Sequence, residues 1–159
     1  IIETHLRTLS VIATTTIVFA VVLWFSDRRP SSRAQISWSD TVWIGLAQAL
    51  ALVPGTSRSG ITISVALLVG LNRVAAARFS FLLAIPTIAG AQLMLTLDLM
   101  SGENFVDLAH IAAGGLIALA SAYFSIHFFI RLLDQFGMMP YVVYRLVLGS
   151  MLLWIIAGA

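Results

Sequence analysis

Two apolar runs, 41–53 and 61–71, are each too short to cross a bilayer, and the seven residues between them, Pro54-Gly-Thr-Ser-Arg-Ser-Gly60, include an arginine. At about 1.5 Å per helical residue the first run reaches roughly 20 Å, against a hydrocarbon core of about 30 Å. Water is absent at that depth, so irregular backbone survives only where it is buried in protein or faces a wet cavity. The pattern is that of a re-entrant helix-loop-helix hairpin, or of a broken helix, over 41–71 with its loop at 54–60.

The rest of the chain reads as full spans. Residues 9–25, 79–97, 111–130 and 141–159 are apolar enough and long enough to cross. Of the 159 residues, 60% are hydrophobic and 10% charged, where soluble domains carry about 25% charge. The expected architecture is therefore an all-α polytopic membrane protein, a single domain of about four transmembrane helices plus the hairpin. Pro86 is expected to kink the 79–97 span. Residues 72–78 and 131–140 read as polar connections. The net charge is +2, with no basic run interleaved with aromatics, so nucleic acid is not an expected partner. Cysteine is absent, which removes disulfides, thiolate chemistry and thiolate metal sites. The histidines are scattered and show no metal-ligand spacing.

Arginine placement predicts orientation. Loops carrying Arg28, Arg29 and Arg33, then Arg73 and Arg78, then Arg131 belong on the cytoplasmic side, and the acidic 98–107 loop outside. This alternation requires 41–71 to enter and leave on one face. A complete crossing there would put Arg73 and Arg78 outside.

The loop carries the chemistry. Pro54 and Gly55 end the first half-helix and reverse the chain. Ser57 or Ser59 can cap the second. The free N–H groups of a helix start, with its positive dipole end, make an anion site. Arg58 adds a planar fork that matches phosphate oxygens. Thr62 lies four residues on and shares its face if both are helical. Arg58, Ser57 and Thr62 are the catalytic candidates, and Gly55, Thr56, Ser59, Gly60 and Gln48 the substrate-binding ones. Phosphate binding comes before nucleophilic attack for Ser57, because no acid or histidine lies nearby in sequence to activate it. The loop lacks the lysine and glycine spacing of a Walker P-loop. Other polar residues carry weaker signals. Arg145 is expected to snorkel or to pair with an internal acid. His110 and His127 fit interfacial roles, as do Glu3 and His5, with a general-base role the alternative for Glu3. Phe79, Phe81, Phe105 and Tyr141 fit belt or packing roles.

The string Gly45-Leu-Ala-Gln48-Ala-Leu-Ala-Leu-Val-Pro54-Gly-Thr-Ser-Arg-Ser-Gly-Ile-Thr62 resembles the second motif of the undecaprenyl-diphosphate phosphatase family, also called the bacitracin-resistance family. Arg78-Phe-Ser-Phe-Leu-Leu-Ala-Ile-Pro86 and the ending with Tyr144-Arg145 and Leu148-Gly149 are similar to it as well. The resemblance implies two inverted repeats, each with a re-entrant hairpin, whose tips meet inside the membrane. It implies removal of the terminal phosphate of C55 isoprenyl diphosphate, which recycles the lipid carrier of peptidoglycan synthesis and confers bacitracin resistance. Ser57, Arg58 and Thr62 would bind the diphosphate with help from a divalent cation, Mg2+ or Ca2+, and no protein metal ligand is assigned. The expected setting is the bacterial inner membrane, with the site open to the periplasmic side. The family's paired-glutamate motif and its serine- and histidine-containing loop are not found in this sequence. The chain therefore resembles the second repeat, with the first expected upstream of Ile1, and the start without methionine is read as a processed or truncated one. A homodimer is a further expected partner state. The rival reading is a transporter or translocase of an anionic or phosphorylated lipid, because re-entrant hairpins also hold anionic substrates.

Overall fold

The computed structural model describes residues 8–29, 32–101 and 108–158, and helices dominate them for reasons visible at their ends. Helix α1 (Leu9–Asp27) starts where the Thr8 hydroxyl accepts from the Val11 N–H at 3.4 Å. Helix α2 (Trp38–Gln48) opens on a capping box between Ser37 and Asp40 and tightens into a 3₁₀ turn, Ala49–Leu52. Helix α3 (Arg58–Leu68) follows the loop. Helices α4 (Arg73–Ser101), α5 (Leu108–Phe136) and α6 (Met139–Gly158) complete the chain. Four of these, α1, α4, α5 and α6, are long and apolar enough to cross a membrane, which makes this a multi-pass membrane protein.

Two expected connections are helix instead. Residues 72–78 were expected as a polar loop, but α4 begins at Arg73 because the Asn72 Oδ1 accepts from the Ala75 N–H at 2.8 Å and caps it. The expected turn at 131–140 shrinks to Gly137 and Met138, since α5 runs on to Phe136. Gly137 makes this reversal at φ +65. Hydropathy marks these arginine-bearing segments as polar, but it does not distinguish a loop from the projecting end of a helix. At 29 residues each, α4 and α5 extend about 44 Å, longer than the hydrocarbon layer.

The core lies where the hairpin meets the lower ends of the long helices. Ile44 of α2, Leu67 of α3, Ala77 of α4, Leu133 of α5 and Val142 of α6 share one buried cluster. Helices α1 and α6 approach closely, with Ala13 and Ala20 fully buried. A Cβ on Gly149 would sit 2.5 Å from the Ile17 Cγ1 and 3.2 Å from the Ala13 carbonyl oxygen, the close contact that small residues permit between helices in lipid. The outer lengths of α4 and α5 are exposed and apolar, with Leu82, Ile88, Leu116 and Phe124 all facing outward.

The hairpin is closed at its base. Arg33, before α2, bridges Leu71, after α3. The Arg33 N–H donates to the Gly70 carbonyl at 3.3 Å, and the Asn72 N–H donates to the Arg33 carbonyl at 2.8 Å. The Arg33 guanidinium forks onto Asp40 at 2.5 and 2.9 Å and reaches the Val69 carbonyl at 2.9 Å. That guanidinium holds the Asp40 carboxyl well below the usual carboxylate range. Nearby, Asp27 takes two bonds from Arg73 at 2.6 and 3.1 Å and one from the Met138 N–H at 3.2 Å, which ties α1, α4 and the α5–α6 turn together.

A labelling result follows from this closed base. In a chain with no native cysteine, single cysteines at Ser32 and Asn72 should label with an impermeant maleimide from the same side, and one at Ser101 from the other. Opposite sidedness for Ser32 and Asn72 would mean that 41–71 crosses the membrane.

Candidate functional site

The loop between the half-helices is fixed from both sides. Gly55 adopts φ +89 and lies against α1. The Thr15 hydroxyl donates to the Pro54 carbonyl at 2.6 Å, and the Thr16 hydroxyl to the Gly55 carbonyl at 3.3 Å. From α6, Arg145 Nη2 donates to the Gly55 carbonyl at 2.8 Å, and both Nε and Nη2 reach the Thr16 carbonyl at 3.4 Å. Two adjacent threonines and one arginine thus absorb the carbonyls that a Pro-Gly break sets free.

Ser57 follows at φ 63 and ψ 112, the one non-glycine residue with positive φ among those described. Its backbone starts α3, and its Oγ accepts from the Gly60 N–H at 3.3 Å. This is the cap that the sequence offered to either Ser57 or Ser59. Ser57 and Ser59 are exposed. Both, with Gly60 and Arg145, line a cavity of about 460 Å³ whose other walls include Phe129, Tyr141 and Leu148.

Arg58 turns the other way. With Gln48 and Thr87 it lines a separate groove of about 320 Å³. Its guanidinium makes no hydrogen bond or ion pair among the described residues and is therefore available to a ligand. The Gln48 Nε2 donates to the Thr87 hydroxyl at 2.9 Å and forms the far wall. Thr62 lies deeper on the same α4-facing side. It is 1% exposed and shares a 2.7 Å hydrogen bond with Ser80. Its hydroxyl also donates to the Arg58 and Ser59 carbonyls at 2.9 and 3.2 Å. In this geometry Thr62 supports the first turn of α3 and lines neither cavity. Thr56 is fully buried, and its hydroxyl has no hydrogen-bond partner among the described residues.

Arg145 does not snorkel: it is 9% exposed, and its hydrogen-bond partners among the described residues are backbone carbonyls, not an acid. A lone arginine inside an apolar span was the signal for it. For Thr15 and Thr16 the only signal was a polar pair within an otherwise apolar run. Glu3, His5 and Phe105 lie outside the described residues. His110 and His127 are exposed on α5, away from the loop's cavities. Phe79 and Tyr141 pack against the core, and Phe129 sits between Phe81 at 5.4 Å and Tyr141 at 4.5 Å.

The donor set around the loop is guanidinium, hydroxyl and backbone N–H. It suits an anion with several oxygens. A hard divalent cation takes carboxylate and carbonyl oxygens, and no group of three or more His, Cys, Asp or Glu converges among the described residues. The residues described here therefore do not fit the cation that the resemblance implies, and no step is derived through one.

Residues 1–151 match the family described as bacitracin resistance protein BacA. The chain is 50% identical, over 99% of its length, to an undecaprenyl-diphosphatase 2 of Stutzerimonas stutzeri. It is 53% identical, over 97%, to an undecaprenyl-diphosphatase of Alcanivorax borkumensis, and 48% identical, over 98%, to one of Alteromonas mediterranea. It spans 60%, 60% and 59% of these relatives' own lengths.

Proposed function

The chain belongs to the bacitracin resistance protein family, and from that membership we propose that it carries the phosphate-binding part of an undecaprenyl-diphosphate phosphatase. The observation that carries the reading is the free Arg58 guanidinium beside the capped N-terminus of α3, on a loop that three side chains hold by its carbonyls. An intramembrane arginine with no counter-charge among the described residues calls for an anionic ligand.

In the proposed reaction water attacks the terminal phosphorus of a C55 isoprenyl diphosphate. The bond from that phosphorus to the bridging oxygen breaks, and the prenyl monophosphate leaves. The transition state spreads charge over the phosphoryl oxygens, so most of the catalysis is positioning and neutralisation. Arg58 grips two oxygens in its fork from its own groove, and Ser57 and Ser59 offer hydroxyls from the cavity on the other side of the helix start. Gly55 and Gly60 let the backbone come close, Gln48 bounds the Arg58 groove, and Thr62 holds the first turn of α3 rigid. The water's proton needs a base, and no carboxylate or imidazole lines the loop's cavities among the described residues. We assign that base to the part of the family's length that this chain does not span. The setting we propose is the bacterial inner membrane, with the Arg33 and Arg73 end cytoplasmic and the loop open to the outer face.

A translocase of phosphorylated lipids is the rival. The two separate on products. Protein at the full length of its relatives, given C55 diphosphate, should release one orthophosphate for each C55 monophosphate formed. This chain alone should release it far more slowly, because the base is assigned to the part of the family's length that it does not span. Lipid moved across the bilayer with its diphosphate intact would reject the phosphatase reading.

A further inference from the structure

At the closed base of the hairpin, far in the fold from the loop, the arginines differ in what they touch. Arg33 forks onto Asp40, and Arg73 onto Asp27. Arg28 lies over the Trp24 ring, 3.9 Å from its centroid. Arg78 is exposed and has no hydrogen bond, ion pair or ring contact among the described residues. It lines a groove of about 240 Å³ between two segments. Ala34 and Ile36, ahead of α2, form one wall, and Asn72, Phe79 and Leu82 belong to the other. The groove shares no lining residue with either cavity at the loop. Asn72 brings a second donor: its Oδ1 is used on the Ala75 N–H, and its Nδ2 has no hydrogen-bond partner among the described residues.

Depth and direction identify the occupant. Arg78 is the sixth residue of α4, about 8 Å from the helix start. Helix α4 is longer than the hydrocarbon layer by about 14 Å, so the Arg78 level falls near the boundary between headgroups and hydrocarbon. Trp38, two residues beyond Ile36 at the same base, is 88% exposed, and tryptophan concentrates at that boundary. Leu82 and Ile85 lie four and seven residues beyond Arg78, on the same face of α4. They are 61% and 63% exposed. A guanidinium at the interface is thus followed along one helix face by an apolar stripe that runs toward the bilayer centre. A free anion would use only the first of these; a lipid with an anionic head and acyl chains uses both.

We propose that this groove seats an anionic phospholipid, its phosphodiester held by Arg78 and the Asn72 amide and one acyl chain laid along Leu82 and Ile85. The leaflet is the cytoplasmic one on the orientation given under the proposed function; the site itself does not depend on that orientation or on the phosphatase reading. A lipid seated there would wedge between the start of the hairpin and α4, outside the loop that binds substrate.

The test uses protein at the full length of its relatives, in detergent, titrated with dioleoyl phosphatidylglycerol or dioleoyl phosphatidylcholine, with the first lipid adduct counted by native mass spectrometry. Phosphatidylglycerol should bind about fivefold or more tightly than phosphatidylcholine. Arg78→Gln should reduce that preference to less than about twofold, and Arg78→Lys, which keeps the charge, should retain most of it. Ala34→Phe fills the groove without altering either donor. It should abolish the preference too, and it decides the matter if Arg78→Gln fails to fold. Arg58→Ala should leave the preference unchanged. No preference in the wild-type protein would show that the groove is covered by protein or takes no lipid, and would overturn the site. Preference that survives Arg78→Gln, or Ala34→Phe where the glutamine variant does not fold, overturns it as well. Loss of preference on Arg58→Ala would put the lipid at the loop and overturn it equally. A failure of the phosphatase reading would instead show as no phosphate release, with this lipid preference intact.

Discussion

Gly55→Ala should lower kcat/KM for phosphate release by about a hundredfold or more and should destabilise the fold by roughly 3 kcal/mol. Two effects add. At φ +89 a side chain is strained wherever it points. The added Cβ would also overlap Thr15 Oγ1 and lie 2.6 Å from the Ile12 carbonyl oxygen. Both are parts of α1 that cannot retreat, because Ala13 and Ala20 pack that helix against α6. The loop must therefore move. Moving it breaks the bonds from Thr15 to the Pro54 carbonyl and from Arg145 to the Gly55 carbonyl. Thermal unfolding and steady-state phosphate release, measured on the same preparation, would check this. Retention of activity within about twofold would show that the loop's position is not set by its contact with α1.

Arg58→Lys carries the second large effect. The substitution keeps the charge and the long stem but replaces a planar fork with a single ammonium. Among the described residues nothing holds Arg58 by its guanidinium, so the loss falls on the ligand and not on the fold. The expected fall in kcat/KM is about ten- to a thousandfold, with helical content and melting unchanged.

Much of the architecture is legible in residue spacing. Two half-length apolar runs around Pro54-Gly55 mark a break between two short helices, and α2 and α3 are those helices. The four long helices follow from apolar length alone. Their ends do not, since Arg73, Arg78 and Arg131 are polar whether they lie in a loop or on a helix that projects beyond the lipid. Asn72 shows the difference: its cap on Ala75 starts the helix, and that signal is local and weak.

The loop's chemistry is legible as residue types but not as directions. Ser57 and Arg58 are neighbours, yet one faces the cavity under the loop and the other the groove toward α4, because Ser57, at φ 63, lies outside the helix that Arg58 begins. The spacing of Arg58 and Thr62 puts both on one face of α3, and the structure turns that face toward α4. It does not reveal that Ser80 has taken the Thr62 hydroxyl. Arg145 meets Gly55 across 90 residues of sequence, and no local pattern reports such a pairing. Its solitary charge in an apolar span is the only trace.

The most direct measurement for the central claim is phosphate release from C55 diphosphate by Arg58→Ala in protein at full family length, shown to be folded by its melting transition. If the loop grips the diphosphate, release falls by about a thousandfold or more, below the lysine variant, because both charge and fork are gone. Release near the wild-type rate from that folded protein would contradict the account.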